Sequence, residues 1–306
     1  MTRERCVPVA GLSWYEATAR QRIGALVDSG SFLELIGPEQ RETSPHLGIF
    51  DLPEQFDDGM IVGYASLGGQ AILIAAQEGR FMGGAFGEVH GAKLTGLLRA
   101  ARILRRDVLV LFDTGGVRLQ EANAGELAIA EIIRALTRAR AVGVRVVGLI
   151  GGRAGCYGGG GLIAGCCSTL IASEHGRIGV SGPEVIETNM GAEEFDAGDR
   201  ALVWRTMGGK HRYLIGGADV FVDDRASAFR DAVLAVLGHR ARLDLDTLLA
   251  EQARLERRLA RFGDKADAVD IWAALGIEDA GSIPELATDD FVRRAAGHRE
   301  SADEAR

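Results

Sequence analysis

Seven of the eleven residues from Gly151 to Gly161 are glycine, and they follow a largely apolar run, Val144 to Ile150. Such a run reads as a β-strand buried on both faces, as in a parallel sheet. Glycines crowded at its end permit close backbone approach and leave main-chain amides bare. The arrangement occurs twice: Val108 to Phe112 is continuously apolar, and Asp113-Thr114-Gly115-Gly116 ends it. Glycine totals 42 of 306 residues, near twice the average share of about 7%. With no Gly-X-Y period and no Ser/Gln bias, neither collagen nor a flexible linker accounts for it.

Helical patterns flank these strands. Leu94, Leu97, Leu98, Ala101 and Leu104 share one helical face before the first run, and Ile129, Ile132, Ile133, Leu136 and Ala139 share another between the two. Asn123 with Glu126 reads as the second helix's capping box. Upstream, a helix beginning near Ser13 ends at Asp28-Ser29-Gly30, and residues 43–59 read as a loop. Met60 to Ala65 and Ala71 to Ala76 form a predicted hairpin, while Thr169 to Ala172 and Arg177 to Val180 are predicted strands. Strand and helix alternating at this spacing predict an α/β fold with parallel strands. From about Arg240 onward, Leu243, Leu248, Leu249, Leu255 and Leu259 stand among Arg and Glu, which predicts a charged helical appendage. The chain thus divides at 1–239 and 240–306, with a frayed end from His298 to Arg306.

Composition removes several function classes. A hydrophobic share of 47% is that of a globular protein. The balance of 35 basic against 43 acidic residues carries no footprint for nucleic acid. Cys6, Cys156, Cys166 and Cys167 show no C-x-x-C spacing, and the six histidines show no ligand spacing, so no metal is expected. The start leads into no apolar signal core, and the uncharged run Ala154 to Ser173 holds six glycines and little apolar bulk. The expectation is a soluble cytoplasmic protein without a membrane span.

Chemistry then centres on the two glycine loops, Asp113 to Glu121 and Gly155 to Gly161. Each follows a buried strand and precedes a helix whose first amides lack internal partners. Two such loops on adjacent strands can aim two N–H groups at one point, an oxyanion hole for charge developing on a carbonyl oxygen. The expected donors are Gly116 or Val117 in the first loop and Gly158, Gly159 or Gly160 in the second. Close helix–strand packing explains the same glycines equally well. Gly159-x-Gly161-x-x-Ala164 matches a dinucleotide fingerprint only formally, because eight residues separate Ile150 from Gly159. Ser181 lacks G-x-S-x-G, Gly208-Gly209-Lys210 lacks the earlier glycine of a P-loop, and Cys156 reads as a small packing residue. Gly115 and Arg118 lie where the phosphate of a carrier arm would pass, while Arg99, Arg102, Arg105 and Arg106 read as a solvated helix face.

Three segments carry a resemblance. Gly115-Gly116-Val117-Arg118-Leu119-Gln120-Glu121 resembles the G-G-A-R-M-Q-E segment of acyl-CoA carboxyltransferase β subunits. Gly179-Val180-Ser181-Gly182-Pro183-Glu184-Val185-Ile186-Glu187 resembles their G-x-x-G-P-x-V-I-E segment. Ala19-Arg20-Gln21-Arg22-Ile23 through Asp28-Ser29-Gly30-Ser31-Phe32-Leu33-Glu34 resembles their opening. Together they span roughly residues 14–235 in the family's order. Within that family the chain is most similar to the β subunits of biotin-independent malonate decarboxylases. The zinc ribbon of many bacterial acetyl-CoA carboxylase β subunits is missing, and Cys156-Tyr157-Gly158-Gly159-Gly160-Gly161 departs from their M-G-G-V-x-A-S loop.

The resemblance implies a crotonase-like spiral of ββα units and a γ subunit that completes an active site between the two chains. It implies a malonyl thioester on the phosphopantetheine-type (CoA-derived) arm of an acyl carrier protein, loaded by an acyl-carrier transferase subunit. Acetyl thioester and CO2 would be the products, with no cofactor bound by this chain. Two alternatives remain at this stage: a biotin-dependent carboxyltransferase β subunit, and a non-catalytic scaffold.

Overall fold

The computed structural model of the chain describes residues 11–238 and 243–300. Seven strands form one sheet in which every strand pairs with its neighbour in sequence: β1 (Leu33–Leu35), β2 (Met60–Leu67), β3 (Gln70–Gln77), β4 (Val108–Phe112), β5 (Val146–Ile150), β6 (Thr169–Ser173) and β7 (Val220–Val222). β1, β2 and β3 run antiparallel, and β3 through β7 run parallel, with Leu111 opposite Leu149 and Leu149 opposite Ile171. All residues of β4, β5 and β6 are buried, as their unbroken apolar character requires when both faces are covered.

Helices cover the sheet as α1 (Ala19–Leu26), α2 (Pro45–Ile49), α3 (Glu88–Leu104), α4 (Asn123–Arg140), α5 (Gly159–Gly165), α6 (Pro183–Met190), α7 (Arg200–Met207), α8 (Gly209–Leu214) and α9 (Ala226–Val236). The remainder are α10 (Leu245–Phe262), α11 (Ala268–Ala274) and α12 (Thr288–Ala295). Alternate strand residues enter two cores. Val108, Val110 and Phe112 pack with α3 and α4, while Leu109, Leu111, Val147 and Leu149 pack with α1 and α9. A third core joins Leu214 and Phe221 to Phe262, Trp272, Ile283 and Phe291, so the C-terminal helices share apolar contacts with α8 and β7. The expected division at 239/240 lies outside the described residues.

Several local expectations are corrected. The first helix begins at Ala19, because Thr18 and Gln21 form the capping box, and Trp14 precedes it in a buried stack on Phe229 at 4.2 Å. Residues 43–59 are not all loop, since Ser44 and Pro45 start the short α2. Asn123 is no cap: it is already helical, and Ala122 holds the cap position at φ 44°, ψ −128°. Arg177 to Val180 is not a strand, and only Ile178 makes a single bridge, to Cys156. The short edges β1 and β7 carry no pattern long enough to read. His298 to Glu300 are not frayed, since the Glu300 amide donates to the Leu214 carbonyl at 3.0 Å and Arg299 Nη2 to the Ala218 carbonyl at 2.9 Å. Residues 301–306 lie outside the described residues. No helix among the described residues is long and apolar enough to cross a membrane.

Candidate active site

The loop after β4 and the loop after β5 are stitched together by main chain. The Thr114 amide donates to the Gly155 carbonyl at 2.8 Å, and the Tyr157 amide donates to the Thr114 carbonyl at 3.0 Å. Cys156 bridges onward to Ile178, and Val117 bridges to Phe86. The result is a narrow second layer at the carboxyl ends of the parallel strands, where α/β folds commonly place their sites. Asp113 anchors it: its carboxylate accepts from Arg22 Nη1 at 2.7 Å and from the Ala154 amide at 2.7 Å.

Amide directions follow from these pairings. Phe86 donates to the Gly116 carbonyl at 2.8 Å and accepts from the Arg118 amide at 2.9 Å. In a parallel bridge of this kind, the residue between those two, Val117, turns its own N–H away from Phe86. Among the described residues the Val117, Gly158 and Gly159 amides have no acceptor, and all three residues are half-buried. Gly116 and Gly160 differ: their amides donate to Thr114 Oγ1 at 3.1 Å and to the Tyr157 carbonyl at 3.0 Å. Gly115 likewise donates to the Gly83 carbonyl, at 2.8 Å. The free donors therefore reduce to Val117 on one side and Gly158 and Gly159 on the other. The loops do meet, since a Cβ on Gly158 would lie 3.1 Å from the Gly116 Cα.

Packing demands explain the rest of the glycine run. A Cβ on Gly159 would stand 2.5 Å from Ile129 Cδ1, and those on Gly160 and Gly161 would strike Thr114 Cγ2 and the Gly179 carbonyl. Packing thus accounts for Gly159, Gly160 and Gly161, while the amides of Gly158 and Gly159 also lack an acceptor among the described residues.

A family model described as the carboxyl transferase domain matches residues 15–229. The chain belongs to the carboxyl transferase family. It is 40% identical to malonyl-S-ACP:biotin-protein carboxyltransferase MADC of Malonomonas rubra, over 92% of this chain and 95% of that protein. Among solved structures, it matches a chain of a Pseudomonas malonate decarboxylase hetero-tetramer in complex with malonate, with TM-score 0.79 and 39% identity. That match covers 86% of this chain and 97% of the other. A chain of the Pseudomonas MdcD-MdcE hetero-dimer matches with TM-score 0.65 and 36% identity, over 82% and 97% of the two chains. The crotonase-like fold and the malonate decarboxylase resemblance are thereby borne out.

In this carboxyl transferase Arg118 does not face a passing phosphate. Its side chain is buried, with Nη1 donating to Asp58 Oδ1 at 3.0 Å, Asp58 Oδ2 at 2.9 Å and Glu121 Oε1 at 2.9 Å. Nη2 donates to the Asp58 carbonyl at 2.8 Å. Burial pushes the Asp58 carboxyl up and opposes the pull of Arg118, and it drives the adjacent His90 far below its usual value, so that ring is neutral. Arg118 thus fixes the loop segment that carries Val117. Its exposed neighbour Leu119 stands at 87% accessibility. Arg99 pairs with Glu131, and Arg105 donates to the Val142 carbonyl, in keeping with a solvated helix face. Burial also lifts the Cys156 thiol well above its usual value, which suits packing and not nucleophilic attack.

Sequence reasoning missed Asp58 and Asp113 as organisers of the site. Asp58 fell within the loop read over residues 43–59, and Asp113 read only as part of a strand end. Among the described residues no group of three or more His, Cys, Asp or Glu side chains converges as a metal site would.

Proposed function

We propose that this chain is the β subunit of a malonate decarboxylase, which converts a malonyl thioester on an acyl carrier protein to the acetyl thioester and CO2. The reading is supported above all by the near full-length similarity to the Malonomonas and Pseudomonas proteins. The free amides of Val117, Gly158 and Gly159 give it a chemistry. As the C–C bond to the carboxylate breaks, its electron pair forms an enolate and charge grows on the thioester oxygen. Donors already aimed at that oxygen need no reorganisation, and losing one is worth about 3 kcal/mol in barrier height. Protonation of the enolate carbon then gives the acetyl group. No general base is required.

A rim of exposed apolar side chains borders the loops: Leu119 lies in the first, Leu162 directly follows the second, and Val180 follows Gly179, whose amide donates to the Cys156 carbonyl. Such a rim fits burial against a γ-type partner, which would exclude water from the reacting carboxylate. The carrier arm would enter between the two chains, and a transferase subunit would load it. This chain supplies main-chain donors and binds no cofactor in the scheme.

Transfer of the carboxyl group to a biotin protein is the second reading, favoured by the name of the Malonomonas relative. The two separate in one assay of the chain reconstituted with its γ-type partner and malonyl-S-acyl carrier protein. CO2 release at full rate without biotin protein is the expected result. Release that appears only after a biotin protein is added would overturn it in favour of transfer.

A further inference from the structure

Three polar groups near the second loop have no hydrogen-bond partner among the described residues. Tyr157 is only 4% exposed, yet its hydroxyl has no hydrogen-bond partner among the described residues. Its ring fills the space that side chains at Gly155 and Gly179 would need, with ring carbons 2.8 and 3.3 Å from their would-be Cβ atoms. On α8, Arg212 is half-buried, its Nε is buried without an acceptor, and no carboxylate pairs with it among the described residues. Arg177 lies 4.5 Å over the Trp204 ring with its Nε also lacking an acceptor, while Nη2 donates to the Arg153 carbonyl.

These groups share one neighbourhood. The charges of Arg177 and Arg212 act on the Tyr157 hydroxyl, with Glu184 the one opposing carboxylate, and Arg258 acts on Arg212 in turn. Burial, joined by Arg258, pushes the Arg212 guanidinium down to about 10, and burial pushes the Tyr157 hydroxyl up. Arg258 itself donates to the Ile215 carbonyl at 3.0 Å. Buried donors are normally paired, so the Tyr157 hydroxyl and the Nε atoms of Arg177 and Arg212 call for an acceptor. Guanidinium groups set against the single carboxylate of Glu184 favour an anionic one.

We propose that Arg212, with Tyr157 and Arg177, forms a carboxylate subsite that takes the free carboxyl group of the malonyl substrate. The inference rests on the decarboxylase reading above. A guanidinium fork and a phenolic O–H both donate to a carboxylate, and the planar fork matches it. Tyr157 directly precedes Gly158, whose free amide serves the thioester oxygen. In a malonyl thioester one methylene and one carbonyl carbon separate that oxygen from the carboxylate. The phosphate of a carrier arm is many bonds further away.

The sign of the effect is distinctive. In the transition state, negative charge leaves the carboxylate for the thioester oxygen, so a cation at the carboxylate holds the ground state more tightly. Its loss belongs in KM and not in kcat.

The test uses Arg212→Gln and Tyr157→Phe, each assembled with the γ-type partner. For Arg212→Gln, KM for the malonyl thioester rises about 10- to 100-fold, the loss expected of a charged hydrogen bond, with kcat unchanged or higher. Tyr157→Phe shows a smaller rise of the same kind. Calorimetric titration with malonate loses affinity in parallel, while acetate binds both forms weakly and alike. Unchanged KM and malonate affinity in a folded Arg212→Gln, or a fall in kcat at constant KM, overturns the subsite. Should that variant not fold, Tyr157→Phe decides by the same readouts, since it removes only one O–H. The malonate titration needs no turnover. Malonate bound through Arg212 by a complex that releases no CO2 would therefore sink the decarboxylase reading and leave the subsite standing.

Discussion

Gly158 and Gly116 touch main chain to main chain: a side-chain carbon on Gly158 would sit 3.1 Å from the Gly116 Cα, and Gly158 itself adopts φ 57°, ψ −132°. Steric room and backbone angle both exclude a side chain there. Gly158→Ala is therefore expected to lower stability by about 1–3 kcal/mol, the usual penalty for a residue forced into such a region. Thermal unfolding measures that loss. Activity should fall further than the remaining folded fraction, because the loops must separate.

Gly159 permits a cleaner dissection of the donors. It is the first helical residue of α5, where proline is tolerated because no intrahelical bond is lost. Gly159→Pro deletes the amide hydrogen, and Gly159→Ala keeps it while adding the same Cβ. That carbon meets Ile129 Cδ1 and Cγ1 at 2.5 and 2.6 Å and Val117 Cγ2 at 3.1 Å, so both variants carry the same crowding. The proline form should turn over about 100-fold more slowly than the alanine form, as for loss of one oxyanion donor. Equal rates would remove Gly159 from the site and leave Val117 and Gly158.

Among the described residues, Arg118 is the sole guanidinium bonded to both Asp58 and Glu121. Arg118→Met would strand two buried carboxylates, and breaking one side of a buried ion pair typically costs about 3–5 kcal/mol. Denaturant unfolding should show a loss in that range. A loss below about 1 kcal/mol, the scale of an exposed pair, would mean that the cluster is solvated in solution.

Acid should loosen the C-terminal helices first. Trp272 Nε1 donates to His211 Nδ1 at 3.2 Å, so that nitrogen must be unprotonated. Burial, reinforced by Arg212 and Arg258, depresses His211 from 6.5 to about 3. The unfolded chain therefore binds the proton more readily, and the contribution of His211 is complete above about pH 6.5 and lost as pH falls towards 3. Trp272 fluorescence followed against pH checks this. His211→Asn, which keeps an acceptor but does not titrate, should flatten the transition.

How far the residues alone announced this molecule depended on the length of each signal. The five apolar residues of β4 and of β5, and the seventeen and eighteen residues of α3 and α4, carry their period openly. β1 and β7 have three residues each and exist because a neighbouring strand offers its edge. The two glycine loops were legible as neighbours at the carboxyl ends of adjacent strands, but which of their amides lack an acceptor was not. Gly116 looks as available as Val117 until the Thr114 hydroxyl two residues earlier is seen to accept its hydrogen. Arg118 was misread for a related reason. Its partner Asp58 lies 60 residues away, a separation that no local pattern spans.

The strictly sequential strand order has a consequence for biosynthesis. Each strand leaving the ribosome finds its pairing edge already made, so the sheet can grow in the direction of translation without waiting for distant chain. Trp14 is the exception. Its stacking partner Phe229 emerges more than two hundred residues later, so the opening segment stays unshielded through most of synthesis, and the α1 face closes only when α9 arrives.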